Sequence, residues 1–114
     1  MNDGTLYEVS NMLQCDQRRS KDNVDKYKGE FIVQNEKGLH TRPSTELVKC
    51  ACKFESQINL VLDDTAVNAK SILGILMLAA CQGTKLKIEA FGKDCKQAVE
   101  AIIALSLKKF NINY

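Results

Sequence analysis

A chain of 114 residues is long enough for one small domain and short for two. Its hydrophobic share of 45% is that of a globular protein, and its net charge of +2 is too small to make nucleic acid or an anionic membrane the main partner. There is no Trp to stack single-stranded bases, and the longest apolar run, residues 72–81, is far short of the ~20 residues that cross a bilayer.

Residues 1–26 are charged, polar and almost aperiodic, which predicts a flexible N-terminal extension. A brief amphipathic turn through Leu6, Val9 and Leu13 is the one exception. No apolar signal-peptide core is visible there. Cys15, Cys50, Cys52, Cys81 and Cys95 cannot all pair with one another, so a reduced, cytoplasmic setting is expected. The Cys50-Ala51-Cys52 stretch has no second Cys or His pair at zinc spacing, and no metal site is expected.

The pattern becomes regular from Tyr27. The stretch EFIVQ places Phe31 and Val33 on one side of a strand. A loop follows, in which Gly38 can take a positive φ. Leu47, Val48, Ala51 and Phe54 then recur at helical spacing. Pro43 belongs in the first turn of that helix, where its missing N–H is harmless. Proline also biases Arg42 away from helical dihedrals, so the cap is predicted within residues 40–42.

QINLVLDDTAVNA reads as a hairpin turning at Asp63-Asp64, with Ile58, Leu60, Leu62 and Val67 inward. Ser71 is placed to cap a second helix, and Gly83 to end it. Ile75 is expected to be buried there, with Leu78 or Ala79. KLKIEAF alternates, with Leu86, Ile88 and Ala90 inward. Asp94 with Gln97 looks like a capping box for a third helix. That helix carries Ala98, Ile102 and Leu105 on one stripe, widened by Val99, Ile103 and Leu107. The order β-α-β-β-α-β-α predicts an α+β open-faced sandwich: a mostly antiparallel four-stranded sheet, three helices on one face, and Gln57, Asn59, Lys85, Lys87 and Glu89 on the other. The first two helices are expected to bring their N-termini together.

KGLHTRPS, residues 37–44, holds the chain's one histidine, His40, and its one proline. A lone histidine is most often structural. At a helix N-terminus, however, the dipole favours neutral imidazole, whose lone pair can attack phosphorus. The unpaired N–H groups there cradle an anion, and Arg42 adds a permanently charged fork. Such a turn has no general base and no metal ligands. It suits a protein that holds a phosphoryl group better than one that turns over a substrate unaided. Ser71 has two readings that stay open, a plain helix cap and a phosphorylation site; phosphate at an N-cap also meets the helix dipole. Ile72, Leu73 and Leu76 lie on a helix too short to bury every side, and are expected to form an exposed docking patch beside His40.

GLHTRPS, then VNAKSILGIL, then QGTKLKIEAFGKD resembles, in order and spacing, the HPr family of phosphocarriers in the bacterial phosphoenolpyruvate:sugar phosphotransferase system. The resemblance runs from about Tyr27 to the C-terminus. It implies an open-faced β-sandwich without a cofactor, monomeric, that takes phosphate from enzyme I and passes it to enzyme IIA components. His40 matches the residue phosphorylated at Nδ1, and Arg42 the arginine that contacts the phosphate. Ser71 matches the serine that an ATP-dependent HPr kinase/phosphorylase modifies in part of the family. The second helix is implied to contact both enzyme I and enzyme IIA. Residues 1–26 have no counterpart, and Met12 offers an internal start. Ser44 and Thr45 stand where small alanines are common, and residues 108–114 lack an acidic cluster. A regulatory paralogue that binds a transcription regulator is the alternative; the known one lacks the active histidine, which His40 argues against. An RNA-binding module would need exposed aromatics and a basic sheet face, which the sequence lacks.

Overall fold

The computed structural model describes residues 25–112. The turn expected through Leu6, Val9 and Leu13 lies outside them, as does Cys15. Four strands and three α-helices follow in the order β1 (Lys26–Ile32), α1 (Thr41–Ala51), β2 (Gln57–Leu62), β3 (Thr65–Asn68), α2 (Ile72–Met77), β4 (Lys85–Phe91) and α3 (Cys95–Leu107), followed by a short 3-10 turn, Lys109–Asn111. The sheet order is β1-β4-β2-β3, antiparallel at every step. This is the α+β open-faced sandwich that the periodicities predict.

Alternation in the strands decides which face is covered. Phe31, Ile58, Leu60, Leu86, Ile88 and Ala90 are buried under the helices, against Leu47 and Ala51 of α1 and Ala98, Val99 and Ile102 of α3. The opposite face is polar. Lys28 faces Glu89 and Lys85 faces Glu30, each at 3.9 Å. Such exposed pairs contribute little, about 0–1 kcal/mol, so the core holds the sheet and the charges keep this face wet. Gly29 lets α3 settle on β1, because a Cβ there would lie 2.6 Å from Val99 Cγ1. Among the described residues, no helix is long and apolar enough to cross a membrane.

Several local expectations are corrected. Arg42 is helical, as the second residue of α1, and Pro43 is the third. Proline is harmless there because the first turn makes no intrahelical N–H bonds. α1 stops at Ala51, and Phe54 follows in tightened turns that bond Phe54 N–H to the Ala51 carbonyl at 3.2 Å. α2 ends at Met77, well before Gly83. Ala79 takes the left-handed φ of 50°, and Ala80 is buried with its carbonyl accepting Leu39 N–H at 2.9 Å. A tertiary hydrogen bond thus outcompetes two further helical turns. Gly83 instead donates its N–H to the Val33 carbonyl at 2.8 Å, extending the sheet ladder. On α3, Leu107 is 66% exposed, and the buried stripe runs through Cys95, Val99, Ile102 and Ser106.

The predicted capping box is not formed either. Asp94 stands at the N-cap of α3, but its side chain makes no cap bond. Its carboxylate reaches the residues before β2, accepting Glu55 N–H and Ser56 N–H at 3.0 Å each, and the Ser56 hydroxyl. The Ser56 hydroxyl first, then the Glu55 N–H, hold the Asp94 carboxyl below its ordinary range. A lowered folded-state pKa gives stability that is present above the ordinary aspartate range and is lost as pH falls through the folded value. Asp94→Asn is therefore expected to melt lower than wild type at neutral pH, with the gap closing in acid. Melting curves from neutral to strongly acidic pH test this; a gap that does not narrow contradicts it.

Candidate functional site

The turn before α1 is built from backbone bonds. Gly38 donates to the Asn35 carbonyl at 2.9 Å and takes φ 71°. It packs directly on the Ala80 carbonyl, with no room for a side chain. The next N–H, of Leu39, bonds that same carbonyl, and the Leu39 side chain is buried. The chain then enters α1 with His40 as its N-cap, in extended geometry at φ −80° and ψ −167°. His40 is half-buried, and its Nε2 lies out of solvent.

His40 lines an open groove of about 360 Å³. Glu36, Lys37 and Leu39 contribute from its own turn, and Leu76 with residues 79–82 from α2 and the loop beyond it. The part of α2 that meets His40 is thus its C-terminal end. The groove takes in no residue from the N-terminal end of α2, where Ser71 sits. Arg42 is exposed in the first turn of α1 and is not on the groove wall.

Ser71 caps α2 as its sequence predicts, with Oγ accepting Gly74 N–H at 3.1 Å. Ile72 is 37% exposed and Leu73 70%, whereas Leu76 is half-buried and shared with the groove. Met77, at 74%, is the most exposed apolar residue of α2 and was not anticipated. Ile75 and Leu78 are buried, and Ala79 is exposed. The sequence offered no signal for Ala79, Cys81 or Gln82 as groove residues, because they arrive through the Leu39–Ala80 bond. The described cysteines are free thiols, and burial pushes those of Cys50 and Cys95 up. Among the described residues, no group of three or more His, Cys, Asp or Glu could hold a metal ion.

An open-faced sandwich with its one histidine at the N-cap of a helix, on the wall of an open groove, is the architecture of a phosphocarrier domain. Residues 27–106 match the family model described as "PTS HPr component phosphorylation site", and the chain belongs to this family, the HPr phosphocarriers of the phosphotransferase system. It is 42% identical over 82 residues to the phosphocarrier protein HPr of Xylella fastidiosa strain 9a5c, covering 72% of this chain and 92% of that one. It is 42% identical over 78 residues to the phosphocarrier protein HPr of Treponema pallidum, covering 68% and 89%. Among solved structures, HPr-C-His from Thermoanaerobacter tengcongensis superposes with a TM-score of 0.73 at 39% identity, over 77% of this chain and 99% of that one.

Proposed function

We propose that the protein carries a phosphoryl group on Nδ1 of His40, between enzyme I and enzyme IIA components in the cytoplasm. One observation carries the reading: His40 is the N-cap residue of α1, half-buried on the wall of the open groove, with Nε2 out of solvent. Nδ1 is the atom assigned to attack phosphorus, as the family resemblance implies. The Nδ1 lone pair bonds to phosphorus, the bond from phosphorus to the donor breaks, and its electron pair leaves with the donor. The first turn of α1 directs backbone N–H groups out of the helix end, a geometry suited to phosphoryl oxygens. Arg42 is the cation of the same turn. The chain is a carrier and depends on partner enzymes for turnover. Incubation with enzyme I and phosphoenolpyruvate should give an acid-labile, base-stable phosphate on the protein. A chain that stays unlabelled, or carries acid-stable phosphate, contradicts the reading.

The carrier domain is assigned to residues 27–114 and the extension to 1–26. The first strand supports moving this boundary slightly: Lys26 pairs with Phe91, and the Asp25 carbonyl accepts Gly92 N–H at 2.9 Å.

Ser71 is read as a regulatory site for an HPr kinase/phosphorylase. Its hydroxyl adjoins exposed Ile72 and Leu73, which with Leu76 and Met77 suit docking of enzyme I and enzyme IIA. A phosphate there adds about −1.5 to −2 charge. The helix tolerates it, since negative charge at an N-terminus stabilises by ~0.3–1 kcal/mol. An apolar face that must be desolvated against a partner does not. Ser71→Asp is expected to melt no lower than wild type and to be phosphorylated at His40 more slowly. Equal rates, with no labelling of wild type by the kinase and ATP, would leave Ser71 a plain cap.

A further inference from the structure

Ser44 is fully buried in the first turn of α1 and donates two hydrogen bonds. Its N–H donates to the His40 carbonyl at 3.0 Å, and its Oγ donates to the Leu39 carbonyl at 3.1 Å. The Leu39 carbonyl belongs to the peptide that enters His40, and the His40 carbonyl to the peptide that leaves it. The two backbone torsions of His40 are the rotations between those two planes. One residue therefore anchors both planes on either side of the phosphoryl-accepting imidazole.

We infer that Ser44 is a positioning residue, whose hydroxyl fixes the backbone of His40 for phosphoryl transfer. The N–H bond is an ordinary helical one that any non-proline residue supplies. The bond to Leu39 exists because the side chain is a hydroxyl, and an alanine at this position cannot make it. Leu39 is itself anchored one peptide earlier, where its N–H donates to the Ala80 carbonyl. Ser44 thereby ties the His40 backbone to the loop that forms the opposite groove wall. Transfer needs the nucleophile aligned on phosphorus, and small misplacement is costly in rate.

The inference rests on the proposed carrier role of His40, and its test keeps the two apart. The full chain is compared as wild type, Ser44→Ala and Thr45→Ala. Thr45 is a matched control: its hydroxyl donates to the Thr41 carbonyl at 2.8 Å and touches neither peptide of His40. The first readout is the amide–Hα coupling of His40 in the unphosphorylated chain, which reports φ. It should shift in Ser44→Ala and stay at the wild-type value in Thr45→Ala. The second is labelling by enzyme I and phosphoenolpyruvate, well below the melting temperature of each variant. Ser44→Ala should lower kcat roughly 2- to 10-fold, the worth of one hydrogen bond, and leave KM unchanged because the docking face is intact. Thr45→Ala should leave both unchanged. An unshifted coupling with wild-type kcat in Ser44→Ala overturns the inference, as do equal losses in the two variants. If wild type itself takes no label, the carrier reading fails, and the coupling alone decides whether Ser44 holds the turn.

Discussion

The His40→Ala variant is expected to fold as wild type does and to accept no phosphoryl group from enzyme I. Folding should survive because His40 caps α1 through its backbone; the side chain makes no capping hydrogen bond. The first helical bond, Ser44 N–H to the His40 carbonyl, stays in place. Chemistry should not survive, because the sequence holds no second imidazole to take over. The residual label should fall to background, measured with radiolabelled phosphoenolpyruvate and a catalytic amount of enzyme I. Arg42→Ala is the milder companion. The helix N–H groups remain, and Arg42 is not on the groove wall, so a loss of order ~1–3 kcal/mol in transfer is expected for one charge-assisted bond. Full labelling of His40→Ala contradicts the assignment.

Gly38→Ala is expected to be the most damaging single-methyl change at the site. Gly38 sits at φ 71°, where a residue with a Cβ is strained by about 1–3 kcal/mol. The new methyl would also collide with the Ala80 carbonyl oxygen and lie 3.1 Å from Cys81 Cα. These are backbone atoms, which cannot rotate away as a long side chain can. Overpacking of this kind adds roughly another 1–3 kcal/mol. The melting temperature should fall by more than about 10 °C in a domain of this size. The loss should reach the site as well, since relieving the collision pushes residues 80–81 away and breaks the Leu39–Ala80 bond that closes the groove. Calorimetry of the variant, with the Leu39 amide followed by hydrogen exchange, tests both parts. A melting point within about 2 °C of wild type contradicts the account of this turn.

These two positions show what the sequence could and could not reveal. The strand KLKIEAF was legible because its alternation matches burial residue by residue, with Leu86, Ile88 and Ala90 fully inside. Gly38 and Ser71 were legible because a left-handed turn and a helix cap are local needs met by particular residue types. Legibility failed where a distant partner decided the outcome. α2 should have run on through an apolar stretch, yet it stops at Met77 so that Ala80 can bond Leu39. Asp94 had the spacing of a local cap and is drawn instead to Ser56, 38 positions away in the chain. The far wall of the groove, residues 79–82, follows from the first of these events and has no pattern of its own. The histidine turn was readable; its surroundings were not.

The central claim is that His40 Nδ1 is the phosphoryl acceptor. The most direct test is heteronuclear magnetic resonance on the full chain, with nitrogen-15 in the histidine ring, after phosphorylation by enzyme I and phosphoenolpyruvate. The predicted result is a single phosphorus signal coupled to Nδ1 of His40, which disappears on mild acid treatment. Coupling to Nε2, or phosphate on any other residue, would contradict the account.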